Sequence, residues 1–359
     1  MVSVERILAK NTGSFMQAYR NKTPVLIEGL LEPSSELDFT GSSLYKDIKV
    51  EIMDEYSSHF ASENTFIQES KVVSLQSYLD HVAENPNTTL CVREYNTPKD
   101  IIDKIGIPKI ITDNFRDEVT SNLFVANAGN KAQLHFDGDH RHVILYQVSG
   151  RKRGVLFEPS SGNGLFPVLN QSWVKLEQFT DEELQHFVAM NNGYIVDLEP
   201  GEALYFPMMM WHHFSYIDTG MSVNFRFGRK RNNDLLYRYV HADKYLQNLA
   251  WHIDNENSDT VDIDKVIHEI KTVLSEFDES PVNKREKMRT LLKSFCEEYN
   301  IYSDKNIYSV SEDQIIHSTP ALNAISSQPY HFHNWARYNN AEGLLTSLVE
   351  MANQNLSKS

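Results

Sequence analysis

The sequence predicts a mainly β domain with added helices, a sandwich or barrel, over residues 1–230, followed by a helical region over residues 231–359. Three observations carry this. Short runs rich in β-branched and aromatic residues recur through the first part. Gly and Pro punctuate them, as turns between short strands require. Beyond residue 231 the period changes, and apolar residues return every three or four positions, as on one face of a helix.

In chain order the strand-like runs are TPVLIEGL (23–30), TLCVREY (89–95), SNLFVANAG (121–129), HVILYQVSG (142–150), RGVLFEP (153–159), GYIVDL (193–198), EALYFPM (202–208) and MSVNFRFG (221–228). Helices are expected near 3–20, 74–84 and 180–190. In the second part Ile263, Val266, Ile267, Ile270, Val273, Leu274 and Phe277 make one amphipathic stripe. Met288, Leu291, Leu292 and Phe295 make another, and Leu344, Leu345, Leu348 and Met351 a third. The polar DNENSDT (254–260) and the turn ESP (279–281) separate these pieces. A helical region of this kind suits a cap over the β domain or a homodimer contact.

The 359 residues suffice for one large domain with a helical appendage. A formal charge of −15 argues against a broad nucleic-acid footprint and against an anionic membrane surface. Two cysteines, Cys91 and Cys296, cannot build a disulfide framework, which fits a reducing compartment. The opening MVSVERILAKNTGSF has no apolar run of signal-peptide type, and no 18-residue apolar stretch occurs, so a cytoplasmic protein without a membrane partner is expected.

Residues 135–142, HFDGDHRH, crowd three histidines and two aspartates together. On extended backbone His135 and Asp137, two apart, point to the same side and can reach one ion. A third donor must come from elsewhere, and PGEALYFPMMMWHHFSY (200–216) offers His212 or His213. Two imidazoles and one carboxylate form the facial triad of non-haem Fe(II) oxygenases, which leaves three positions open for O2 and a bidentate cosubstrate. The surplus residues have plainer readings. His140 and His142 read as exposed loop histidines, Asp139 as a turn residue, and Arg151 and Arg153 as solvent-facing neighbours of Lys152. Met208, Met209 and Met210 suit an adaptable pocket wall, and Trp211 a core position. HFHNW (331–335) reads as packing or an interface. Arg226 shares a strand face with Asn224 and could bind a substrate carboxylate or pair with an acid.

Taken together, the motifs resemble the JmjC-type, cupin-like 2-oxoglutarate-dependent oxygenases from Phe15 to about Gly228. The resemblance rests on Phe15, Tyr19 and TPVLIEG (23–29), NAGNKAQLHFDG (127–138), QVSGRKRGVLFEP (147–159), PGEALYFPMMMWHH (200–213) and SVNFRF (222–227). It is closest to the small branch containing protein hydroxylases and a tRNA-modifying member. It implies a double-stranded β-helix (jelly-roll) core that uses Fe(II), O2 and 2-oxoglutarate as cosubstrate. Carried over by position, it implies His135, Asp137 and His212 as metal ligands and catalytic centre, with His213 behind the site. Lys152 of the Q-x-x-G-x-K pattern (Gln147, Gly150) would hold the distal carboxylate of 2-oxoglutarate, and Asn224 would lie near its metal-bound end. The chain departs from the pattern in having Ala132 where relatives carry a hydroxyl, Cys91 where some carry Tyr, and two extra residues between Asp137 and Gly150. Arg93 or His142 could then assist Lys152. The activity implied is hydroxylation of an amino-acid side chain in a protein or peptide, or of a small metabolite. The alternatives are an RNA-modifying hydroxylase and a non-catalytic metal-binding cupin.

Overall fold

The computed structural model describes residues 3–32, 37, 43–54, 71–116, 119–138, 140–165, 167–168, 171–172, 174, 176–229, 244–253, 260–276 and 281–301. The chain opens with β1 (Glu5–Leu8), α1 (Thr12–Asn21) and β2 (Val25–Glu28). Next come β3 (Lys49–Asp54), β4 (Lys71–Ser74), α2 (Leu75–Glu84), β5 (Leu90–Asn96), α3 (Lys99–Ile105), α4 (Lys109–Thr112) and β6 (Thr120–Ala126). The barrel strands β7 (His142–Ser149) and β8 (Lys152–Phe157) precede a short pair, β9 (Pro167–Val168) and β10 (Gln171–Ser172). After α5 (Asp181–Met190) come β11 (Tyr194–Leu198), β12 (Ala203–Phe206), β13 (Trp211–Tyr216) and β14 (Gly220–Phe227).

Nine strands form one sheet in the order β1-β2-β12-β7-β14-β6-β5-β3-β4, and β11-β8-β13 form a second. Apart from the parallel β1–β2 pair, neighbours run antiparallel. This is the sandwich expected, with the jelly-roll arrangement of a double-stranded β-helix. Both faces of the large sheet are covered, so its central strands read as continuous apolar runs instead of alternating ones. One face of it, including Ile144, Tyr146, Tyr205, Val223, Phe225 and Phe227, packs on helix residues such as Phe15, Tyr78 and Ile101. The other face sends Leu26, Val143, Leu145, Leu204 and Phe206 inward against Leu156, Val196, Leu198 and Phe214 of the small sheet.

β14 is the exception that matters. Met221, Val223, Phe225 and Phe227 join the helix-facing core, which leaves Ser222, Asn224 and Arg226, all buried, on the inward face. Burying three polar side chains in the middle of a sandwich is costly without partners. Ser222 and Arg226 find theirs in the site described below.

The helix read over 3–20 is corrected. Residues 5–8 are β1, paired in register with 25–28 of β2, and α1 begins only after Asn11, whose side chain caps it by accepting from the backbone N–H of Ser14. Lying on an open edge of β2, β1 gains ladder hydrogen bonds that a helix here would forfeit. The helices near 74–84 and 180–190 are α2 and α5, each started by a hydroxyl cap at Ser74 and Thr180. Past the β domain lie α6 (Lys244–His252), α7 (Ile263–Leu274) and α8 (Pro281–Glu298). The first two apolar stripes bury Val266, Ile267 and Ile270 of α7 against Met288, Leu292 and Phe295 of α8, with Leu249 of α6. Phe277, the stripe 344–351 and HFHNW (331–335) lie outside the described residues.

Candidate metal centre and carboxylate pocket

His135 stands outside the named strands but is locked to β13. Its N–H donates to the His212 carbonyl at 3.0 Å and its carbonyl accepts from the His212 N–H at 2.7 Å. This reciprocal pair brings residues 77 apart in sequence into facing positions, with ring centroids 4.3 Å apart. Asp137, two residues on, completes the group. Donor atoms of His135, Asp137 and His212 all lie within 4.8 Å of one another. Asp137 Oδ1 is 3.7 Å from His135 Nε2 and 4.0 Å from His212 Nε2.

The outer nitrogens fix which atoms face inward. Nδ1 of His135 is 2.7 Å from the Gln133 carbonyl oxygen, and Nδ1 of His212 is 2.9 Å from that of Met210. A carbonyl only accepts, so each Nδ1 carries the proton and each Nε2 presents its lone pair. Burial pushes His212 down to about 4, so its imidazole is neutral at ordinary pH. Met210 reaches its position through Met209, whose φ of +58° turns the chain sharply before β13. Asp137 is set from its other oxygen, since Arg226 Nη2 lies 3.2 Å from Oδ2. The donor set is that of a facial triad and fits Fe(II).

Lys152 lies at the far end of the same inward face. It is 3% exposed, and its ammonium donates to the hydroxyls of Ser222 (2.9 Å) and Tyr216 (3.2 Å). It also stands over the ring of Tyr216, 4.3 Å from its centroid. No carboxylate among the described residues pairs with it. Burial pushes this amine down to about 7. Strand β14 measures the distance between the two ends. Ser222 touches Lys152, Arg226 touches Asp137, and four residues of strand span roughly 13 Å. Asn224 sits between them on the same face, its Oδ1 buried and without a hydrogen-bond partner among the described residues. A buried ammonium whose partners among the described residues are hydroxyls, with no carboxylate, fits a small carboxylate ligand reaching towards the triad.

Comparison with known proteins agrees with the fold. Residues 14–233 match the family model described as a cupin-like domain. The chain is a cupin-like protein of the JmjC type. It is 33% identical over 128 residues to JmjC domain-containing protein D of Dictyostelium discoideum, covering 33% of this chain and 28% of that protein. It is 30% identical over 129 residues to Jumonji C domain-containing protein 5 of Drosophila melanogaster, covering 34% and 31%. It is 24% identical over 167 residues to tRNA wybutosine-synthesizing protein 5 of Danio rerio, covering 46% of each. The alignments thus span less than half of each of these relatives.

In this JmjC-type chain the surplus histidines are not exposed. His140 and His142 are both 0% exposed. His142 is on the helix-facing side of β7, beside Tyr19 and with Nδ1 2.8 Å from the Tyr205 hydroxyl, so it points away from Lys152. His140 adopts φ of +57° as the connection turns into β7. An extra stretch of polar letters suggested a solvent loop, but the chain tucks it inward. Asp139 lies outside the described residues. Arg151 pairs with Asp218, and Arg153 with Asp197 and Asp181, at the surface. His213, on the opposite face of β13 from His212, is buried, and that burial pushes it down to about 3. Trp211 is core, with its ring 4.8 Å from that of Phe136. Met208 and Met209 belong to the same core, while Met210 lies in the one between the sheets.

Sequence reasoning missed Tyr216 and Ser222 as partners of Lys152. Their positions, four after His212 and two before Asn224 respectively, carried a usable signal, because strand alternation puts both inward. Cys91 does lie on this inward side, packed with Tyr216 and Ala126. Arg226 takes the acid-pairing role, bridging Asp137 and Glu94.

Proposed function

We propose that this chain is an Fe(II)- and 2-oxoglutarate-dependent dioxygenase. Its substrate would be an amino-acid side chain in a protein or peptide, or a small metabolite. The observation that supports this best is the pairing, on one inward face, of an oriented two-histidine, one-carboxylate group with a buried ammonium that has no acid partner among the described residues. His135, Asp137 and His212 would hold the ion through Nε2, Oδ1 and Nε2. Iron(II) bound there with 2-oxoglutarate supplies O2 activation coupled to decarboxylation of the keto acid to succinate and CO2.

The protein's own residues then have definite tasks. Lys152 neutralises the distal carboxylate in a dry pocket, where a charge-assisted bond is strong. The hydroxyls of Tyr216 and Ser222 steer that ammonium. Asn224 offers an amide to the middle of the cosubstrate, and the Gln133 and Met210 carbonyls keep both histidines in the binding tautomer. Residues 1–230 would carry the chemistry, and residues 231–359 would serve as cap or homodimer element in a cytoplasmic protein. Among the described residues no helix is long and apolar enough to cross a membrane.

Succinate release that requires both Fe(II) and 2-oxoglutarate tests the reading. No succinate from fully loaded protein in the presence of candidate peptides and metabolites would instead favour a cupin with a non-catalytic metal. An RNA substrate is the second reading, supported by the 46% coverage of the zebrafish wybutosine-synthesizing protein. RNA binding that weakens steeply with salt would favour it.

A further inference from the structure

Glu94 adopts φ of +49°, a left-handed conformation that side-chain-bearing residues rarely take. The cause is local. Between Val92 and Tyr95 the β5–β6 register slips: three steps on β5 oppose two on β6, from Val125 to Leu123. That is a β-bulge with one extra residue, a device that re-aims a side chain. The Asn122 side-chain amide holds the bulge by donating to the Glu94 carbonyl at 3.2 Å. The re-aimed carboxylate, 49% exposed, meets Arg226 Nη2 at 2.8 Å, and that same nitrogen lies 3.2 Å from Asp137 Oδ2. Strained backbone beside a reactive site is where such conformations concentrate.

We propose that Glu94 and Arg226 form a positioning pair that orients Asp137 and sets the metal affinity of the site. This rests on the metal-centre reading above. Arg226 occupies Oδ2, so Oδ1 is the oxygen left to face His135 and His212. A guanidinium this close to a divalent ion also repels it. The carboxylate of Glu94 offsets that repulsion and keeps the guanidinium fixed between the two acids. Arg226 contacts Asp137 and Glu94 contacts Arg226, so both act through Asp137.

The test is equilibrium binding of Mn(II), an O2-inert probe, followed by electron paramagnetic resonance on the full chain. Glu94→Gln, nearly isosteric at an exposed position, is expected to weaken Mn(II) binding roughly 10-fold, the low end of the effect of losing a ligand's outer partner, because Glu94 acts one contact further out through Arg226. In the Arg226→Met background the same substitution should have a much smaller effect, since its route to Asp137 is gone. Unchanged affinity in Glu94→Gln, or a loss equally large in both backgrounds, would overturn the proposal. His135→Ala separates the two ideas. If it abolishes Mn(II) binding while Glu94→Gln does nothing, the metal centre stands and the positioning pair falls. If His135→Ala binds Mn(II) normally, the metal centre itself falls.

Discussion

A buried lysine without an acid costs a protein stability unless an anion arrives. Lys152 has a folded-state pKa of about 7 against an ordinary 10.5. Between those values the unfolded chain binds a proton that the folded chain does not, so stability rises with pH across that window. Below about 7 the whole cost of the buried ammonium is present. Lys152→Met should therefore raise the melting temperature of the ligand-free protein most at pH 6–7 and least near pH 10, while removing the stabilisation that the proposed 2-oxoglutarate cosubstrate would give. Thermal denaturation across pH checks both parts. An equal difference at every pH would mean that Lys152 titrates normally. In the wild type, 2-oxoglutarate binding somewhat above pH 7 should take up a proton, because the incoming carboxylate favours the ammonium; calorimetry in buffers of different ionisation heat would read it.

At the scale of elements, the tight turn between β7 and β8 decides where Lys152 points. Gly150 has φ of +63°, and a Cβ there would lie 2.3 Å from the Thr219 carbonyl oxygen. Gln147 braces the turn by donating to the carbonyls of Ser149 and Gly150. Gly150→Ala is expected to cost roughly 1–3 kcal/mol in urea denaturation and to weaken 2-oxoglutarate binding with it. Trp211→Ala, which empties the core behind β13, should cost about 3–5 kcal/mol. These elements differ in how legible they were. The strands around the site could be read because they are apolar and end at Gly or Pro, and HFD and WHH mark their own chemistry. β1 could not be told from the start of α1, since four residues of ERIL fit either period until the parallel partner β2 is known. The bulge at Glu94 has no letter to announce it, because register is a property of two strands. The burial of His140 and His142 was hidden for a related reason. Polar letters in a connection say nothing of which layer covers them, and here Tyr19 and Tyr205 do so for His142.

At the scale of the whole molecule, the fold places the His135, Asp137 and His212 group and the Lys152 ammonium on one inward face and surrounds them with hydrocarbon. The large sheet, covered on both sides, supplies the rigidity. Its polar inner strip carries Ser222, Asn224 and Arg226. A net charge of −15 should make affinity for RNA low and nearly independent of sequence at physiological salt. Filter binding with tRNA would check this, and tight binding would move the RNA reading ahead of the peptide and metabolite ones. The central claim is that His135, Asp137 and His212 hold an iron that spends 2-oxoglutarate. Its most direct measurement is succinate formed by the wild type, by Asp137→Ala and by His212→Ala, each loaded with Fe(II) and checked for native circular dichroism. The account predicts succinate from the wild type alone. Succinate from either folded variant at the wild-type rate would contradict it.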